Sequence, residues 1–213
     1  MDNSTIHYYN LAATSLIGRY ESAEMAETHD SLLRHIPRGT RVLEIGCGSG
    51  RDAAFLFSEG YDVTAIDPSS KMIEATLRQH PELGGRVHCS GLPLPQGHSL
   101  LSRVFDAAIA IAVVMHMSDA DLIESAVQVR NVLSLKGVFI VSSSFGRKEV
   151  NEARDSNGRL YVERSCEEIQ QMLARCDFEL IELLESEDGL HRDLKWLTII
   201  MKCSHSTGAR RRQ

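Results

Sequence analysis

The run Val42-Leu43-Glu44-Ile45-Gly46-Cys47-Gly48-Ser49-Gly50 constrains this chain more than any other stretch. A short apolar segment ends at an acidic residue, and glycine then takes every second position before a helix begins near Arg51. Glycines so placed let the backbone turn tightly and approach a ligand with no Cβ in between. The helix that follows directs free N–H groups and partial positive charge into the turn, which suits a carboxylate or a phosphate. Asp67 ends the next apolar run, Val63-Thr64-Ala65-Ile66, about 20 residues beyond Gly46. The dinucleotide fingerprint G-x-G-x-x-G needs a further glycine where this chain has Arg51, so hydride transfer to NAD is disfavoured.

Strands and helices alternate from Pro37 onward. Strands are expected at Arg41–Ile45, Tyr61–Ile66, Arg86–Cys89, Phe105–Ile111 and Val138–Ser142. Helices are expected from Arg51 to Ser58, from Ser69 to about Gln79, after the cap Ser118 with Leu133 on its apolar face, and from Ser165 to Cys176. The runs Phe178–Leu184 and Leu194–Met201 have only the turn Glu185–Asp193 between them, so they pair most simply as an antiparallel hairpin. Before this unit, helical patterning covers about Asn3 to Ile36, broken near Gly18. The alternation implies an α/β fold, a parallel sheet with helices on both faces.

The glycine run and Asp67 together resemble motif I and the following acidic position of the class I S-adenosylmethionine-dependent methyltransferases. The resemblance covers roughly residues 37–203, with 1–36 as a helical lid segment and 204–213 as a disordered tail. It implies a Rossmann-like, doubly wound, mostly parallel seven-stranded sheet ending in an antiparallel hairpin. It also implies S-adenosylmethionine as cofactor and a small-molecule methyl acceptor. Gly46, Cys47, Gly48, Gly50 and Arg51 would cradle that cofactor, with Cys47 as a small filler and not a nucleophile. Glu44 would face its cationic end, and Asp67, followed by Pro68, would accept from the ribose hydroxyls. Many relatives carry a carboxylate after strand three for the adenine amine. Here Cys89-Ser90-Gly91-Leu92 stands there, which leaves adenine to backbone groups or the Ser90 hydroxyl. Met72 would lie on the adenine face or simply fill the core.

Ala112 and His116 follow strand four, where ligands bind at the C-terminal ends of parallel strands. His116 would take the acceptor's proton, or else shape the pocket floor through a loop carbonyl. Tyr8, Tyr9, Arg19 and Tyr20 lie in the lid segment and would bring two or three side chains over cofactor or acceptor, Tyr20 among them. The charged turn 187–193 beside Trp196 reads either as a solvated hairpin tip or as a border of the acceptor pocket.

The net charge of −6 argues against nucleic acid as a partner, because phosphate binding needs a basic footprint. RNA methylation would also want an N/D-P-P-Y/F tetrapeptide after strand four, where this chain has Ala112-Val113-Val114-Met115. Five scattered cysteines with no C-x-x-C pair read as neither disulfide framework nor zinc site, so a reducing cytoplasm is expected. No metal spacing, signal peptide or membrane-length apolar run is present. A cofactor-binding subunit without catalysis is the competing reading, on the missing carboxylate after strand three. The acceptor's identity and the oligomeric state stay open.

Overall fold

The computed structural model describes residues 2–146 and 150–204. Its strands in chain order are β1 (Arg41–Ile45), β2 (Asp62–Asp67), β3 (Val87–Cys89), β4 (Phe105–Ala110), β5 (Leu133–Phe145), β6 (Val150–Asn151), β7 (Arg154–Asp155), β8 (Phe178–Glu187) and β9 (Lys195–Cys203). Seven form one sheet in the order β3-β2-β1-β4-β5-β9-β8, while β6 and β7 make a separate hairpin. Strands β1 to β5 are parallel to one another. Strand β9 runs antiparallel to both β5 and β8, so it alone opposes the rest. This is the expected seven-stranded sheet with its terminal hairpin. The strand order reverses between β1 and β4, and a crevice opens at such a switch point.

The helices are α1 (Asn3–Glu21), α2 (Ala26–His35), α3 (Arg51–Ser58), α4 (Ser70–Gln79), α5 (Asp119–Val132) and α6 (Cys166–Ala174). Successive strand residues point to opposite faces, and here both faces are apolar. Leu43, Ala108 and Val141 join Leu122 and Val129 of α5 and Leu173 of α6 in one core. Val42, Ala107 and Ile140 join Leu32 of α2 and Leu56 of α3 in the other. That division explains why β4 reads as an unbroken apolar run. Among the described residues no helix is long and apolar enough to cross a membrane.

Several expected boundaries move. Gly18 lies inside α1, and the break between the first two helices falls at residues 22–25. Helix α5 stops at Val132, so Leu133 begins β5 opposite Phe105. The register then jumps to Val138 opposite Ala107, and the chain between bulges. Gly137 makes the bulge possible, since a Cβ there would press on the Leu133 side chain and the Ser134 carbonyl. The β6–β7 hairpin was not expected. Its turn residues Glu152 and Ala153 both sit at positive φ, 48° and 57°, where hairpins ordinarily show Asn-Gly or Asp-Gly. Apart from Ser204, the expected tail lies outside the described residues.

Candidate active site

A cavity of about 460 Å³ opens at the C-terminal ends of the central strands. On its β1–β2 side the chain turns immediately after β1. The Gly46 and Cys47 N–H groups donate to the Ile66 carbonyl at 2.7 and 3.0 Å. The Thr76 hydroxyl donates to the Gly48 carbonyl at 2.6 Å, tying the loop to α4. The three loop glycines do different work. At Gly46 a Cβ would collide with Val113, and at Gly50 with Thr76, so these two serve packing. At Gly48, φ +55°, a Cβ would meet the Tyr20 ring and the Gly46 carbonyl, both at ordinary contact distance. Position 48 is therefore where the backbone itself is offered to the cavity.

Two buried carboxylates stand behind that loop. Asp67 accepts from Gly48 N–H at 3.1 Å and Ser69 N–H at 2.8 Å. Burial pushes its carboxyl up to about 6 against the pull of those two donors. Glu44 is raised well above the ordinary range, first by burial and then by the charge of Asp52, and its Oε2 is buried with no partner. A buried carboxylate oxygen without a donor is costly unless a cation or N–H reaches it. The Cys47 thiol is pushed up by burial and by Asp67, which leaves it an inert filler.

The β4–β5 side is built from distant parts of the chain. Ala112, at φ 61°, gives its N–H to the Ser142 hydroxyl at 3.0 Å and turns the backbone toward the cavity. A short turn from Val114 to His116 follows. His116 is buried, with Nδ1 2.6 Å from the Leu160 carbonyl. A carbonyl only accepts, so the proton sits on Nδ1, and the Nε2 lone pair faces the Tyr9 hydroxyl at 3.2 Å. Arg159 donates through Nη1 to the Tyr9 oxygen at 2.9 Å and through Nε to Asp155 at 2.7 Å. Burial raises the Tyr9 phenol well above its usual value, so it remains a neutral donor to His116.

The N-terminal helices α1 and α2 are fastened at several points. Arg51 donates to the Tyr20 carbonyl and pairs with Asp52, both at 2.9 Å. His29 of α2 reaches Asp52 at 2.9 Å and stacks on Phe55 at 3.8 Å. Asn10 accepts from the Ser69 hydroxyl, and Thr5 from Leu160 N–H, each at 2.9 Å. The turn between β8 and β9 also bends over the cavity, where the Gly189 carbonyl accepts Glu24 N–H at 2.9 Å. Asp188 in that turn takes Arg192 Nη2 at 2.6 Å and Trp196 Nε1 at 2.7 Å. The charged turn is thus a border of the cavity and not merely a solvated tip.

Of the residues anticipated from sequence, Glu44, Gly46, Cys47, Gly48, Arg51, Asp67, Pro68, Ala112, His116 and Tyr20 line this cavity. Tyr9 does as well, while Tyr8 and Arg19 do not. Five others do not line it. Met72 is 1% exposed beneath α4 and belongs to the core. Leu92 turns inward beside Leu94 and Leu43. Ser90 bonds His98 at 3.3 Å, and Gly91 lies against the Pro68 ring, so neither reaches the wall. Gly50 caps α3 behind the loop. Arg159, Tyr161, Ser142, Ser144 and Thr198 line the cavity unanticipated. Their one sequence signal was Ser142-Ser143-Ser144, hydroxyls in a strand that could have been wholly apolar.

Residues 43–139 match the family model described as a methyltransferase domain. The ubiquinone biosynthesis O-methyltransferase of Methylocella silvestris is 37% identical over 89 residues, 40% of this chain and 34% of that protein. The magnesium-protoporphyrin O-methyltransferase of Rhodobacter capsulatus is 32% identical over 102 residues, 40% of this chain and 46% of its own length. The chain thus spans less than half the length of these curated relatives. Among solved structures, 1,6-didemethyltoxoflavin-N1-methyltransferase of Burkholderia thailandensis superposes with a TM-score of 0.74 at 20% identity. That match covers 94% of this chain and 88% of the other, whose structure holds 1,6-didemethyltoxoflavin and S-adenosylhomocysteine. Residues 43–139 thus match a methyltransferase domain, and the chain as a whole has the fold of a methyltransferase structure.

Proposed function

We propose that this protein transfers a methyl group from S-adenosylmethionine to a small-molecule acceptor, with His116 as the base. The observation that carries it is one cavity with the partnerless Glu44 oxygen on one side and His116 Nε2, facing the Tyr9 hydroxyl, on the other. Glu44 suits an ammonium, Asp67 has lone pairs left for two ribose hydroxyls, and the bare backbone at Gly48 leaves room for a carboxylate. When bound, the cofactor supplies an electrophilic methyl carbon on a cationic sulfur.

The protein's part is placement and proton removal. Holding the acceptor atom in line behind the methyl group supplies ~7–11 kcal/mol of barrier reduction. Bound there, S-adenosylmethionine would give its methyl carbon to the acceptor's lone pair and leave as a neutral thioether that keeps the carbon–sulfur electron pair. Tyr9 takes the acceptor's proton and passes its own to His116 Nε2, while Arg159 holds the phenol in place and the Leu160 carbonyl steadies the imidazolium. The α1–α2 cover, which suits a small acceptor better than a polymer, excludes water. Five unpaired cysteines support a cytoplasmic setting.

Calorimetric titration with S-adenosylhomocysteine tests this reading. Wild type should bind, and Glu44→Gln should bind more weakly by roughly tenfold or more, because a charge-assisted hydrogen bond is worth ~1.5–3 kcal/mol. A wild-type protein that binds no S-adenosylhomocysteine would sink the proposal.

A further inference from the structure

The cavity has an unusual aromatic inventory. Three of the chain's five tyrosines (Tyr9, Tyr20 and Tyr161) and its single tryptophan, Trp196, line the cavity, and none of its six phenylalanines does. Rings with a polar edge suit a ligand that has apolar faces and hydrogen-bonding edges. The floor repeats the theme. Ser142 lies opposite Thr198, and Ser144 opposite Trp196, so hydroxyls stand where a doubly buried strand would ordinarily carry Val or Ile.

Charge on the β4–β5 side is balanced pair by pair. Arg159 is closed by Asp155, whose side chain is fully buried. Arg192 is closed by Asp188, 2% exposed, which also receives the indole N–H. Burial alone would raise the Asp188 carboxyl, yet the Arg192 and Trp196 donors hold it well below the usual range. At the rim, Glu24 and His191 are each 76% exposed and screened by water. An ionic acceptor therefore meets no uncompensated buried charge on this side, and would shed its hydration with little return.

We propose that the acceptor is an uncharged, planar aromatic or heteroaromatic molecule bearing an O–H or N–H on its edge. Asp188 is the positioning residue for this selectivity: it neutralises Arg192 and fixes the Trp196 indole in the wall. The inference rests on the methyl-transfer reading above and names its substrate class.

Because Trp196 is the only tryptophan, its fluorescence reports on this chamber directly. With S-adenosylhomocysteine saturating, catechol and lumazine serve as neutral planar probes, glycine and ethanolamine as charged aliphatic ones. Saturable quenching by a planar probe and none by the aliphatic ones is expected. Saturation by glycine or ethanolamine, or no response to either planar probe, would overturn the substrate class while leaving cofactor binding intact. Failure to bind S-adenosylhomocysteine would overturn the underlying reading instead. In Asp188→Asn, Arg192 loses its counter-charge, so anionic 4-hydroxybenzoate should bind roughly tenfold tighter than to wild type, little more than an ion pair is worth in water because Arg192 is partly exposed. Catechol binding should weaken only a few-fold. An unchanged preference between the two probes, in a variant whose melt shows it folded, would remove Asp188 from the proposal.

Discussion

The β1–β2 side of the cavity and the β4–β5 side hold buried polar groups in opposite ways. The first comes from two consecutive strand–turn units, and its carboxylates are left short of partners. Glu44 keeps an orphaned oxygen, and Asp67 carries a raised pKa. The second gathers Tyr9, His116, Arg159 and Asp188 from widely separated stretches, and there each ionic group is answered by another protein group. An under-satisfied wall awaits a charged ligand, whereas a satisfied wall selects by shape and hydrogen-bond direction. One side is built to hold, the other to orient.

Breaking the first side should have the largest effect. Gly48→Val places a β-branched side chain in the space the backbone leaves open, and binding of S-adenosylhomocysteine should be lost in calorimetry. The residue's positive φ adds ~1–2 kcal/mol of backbone strain, so the melting temperature should also fall modestly. Retained binding would mean the loop is no cradle. On the second side, His116→Ala should lower single-turnover methylation by ~10²–10⁴-fold while cofactor affinity stays within a few-fold. Lost stability with turnover per folded molecule unchanged would instead mark a purely structural histidine.

Asp67→Ala sharpens the contrast at a smaller scale, weakening S-adenosylhomocysteine by roughly tenfold to a hundredfold. Its sign with pH follows from the carboxyl being pushed up to about 6 in the free protein. Ligand hydroxyls favour the ionised form, so binding lowers that pKa and releases a proton. Affinity should be flat above pH 7 and fall as pH drops through 6, and Asp67→Ala should flatten much of that limb. A wild-type affinity independent of pH from 5 to 8 would contradict this role. The smallest effect concerns neither wall. Ser165 and Glu168 form a reciprocal cap at the start of α6, and Ser165→Ala should cost ~1 kcal/mol in denaturant melts with cofactor affinity unchanged.

The same contrast explains what could be read from the chain beforehand. Glu44, the glycine loop and Asp67 are near neighbours in sequence, and their spacing records a local turn. The central strands of the main sheet were visible as apolar runs because both faces are covered, whereas β3 and β8 at the edges expose much of their length. Arg159 was invisible: Asp155 and Arg159, four apart between polar residues, look like an ordinary surface pair. Only the β6–β7 turn carries them under Tyr9, and Glu152-Ala153 is not a dipeptide that announces a turn. Met72 and Leu92 stand outside the cavity for a different reason. Motif spacing places residues near a site but does not say which way they face, and here the cores on either side of the sheet took both.

Strand β9 runs against its neighbours, and that reversal has a consequence for how such a protein can change. Its start, Lys195, lies beside Phe145 at the end of β5, so the turn before it arrives at the cavity mouth although it belongs to the last hairpin of the sheet. The turn can vary in length and composition at the end of a finished sheet, without disturbing the order of strands that carries the glycine loop. A substitution in residues 188–193 changes the cavity mouth and leaves Glu44, Gly48 and Asp67 in place.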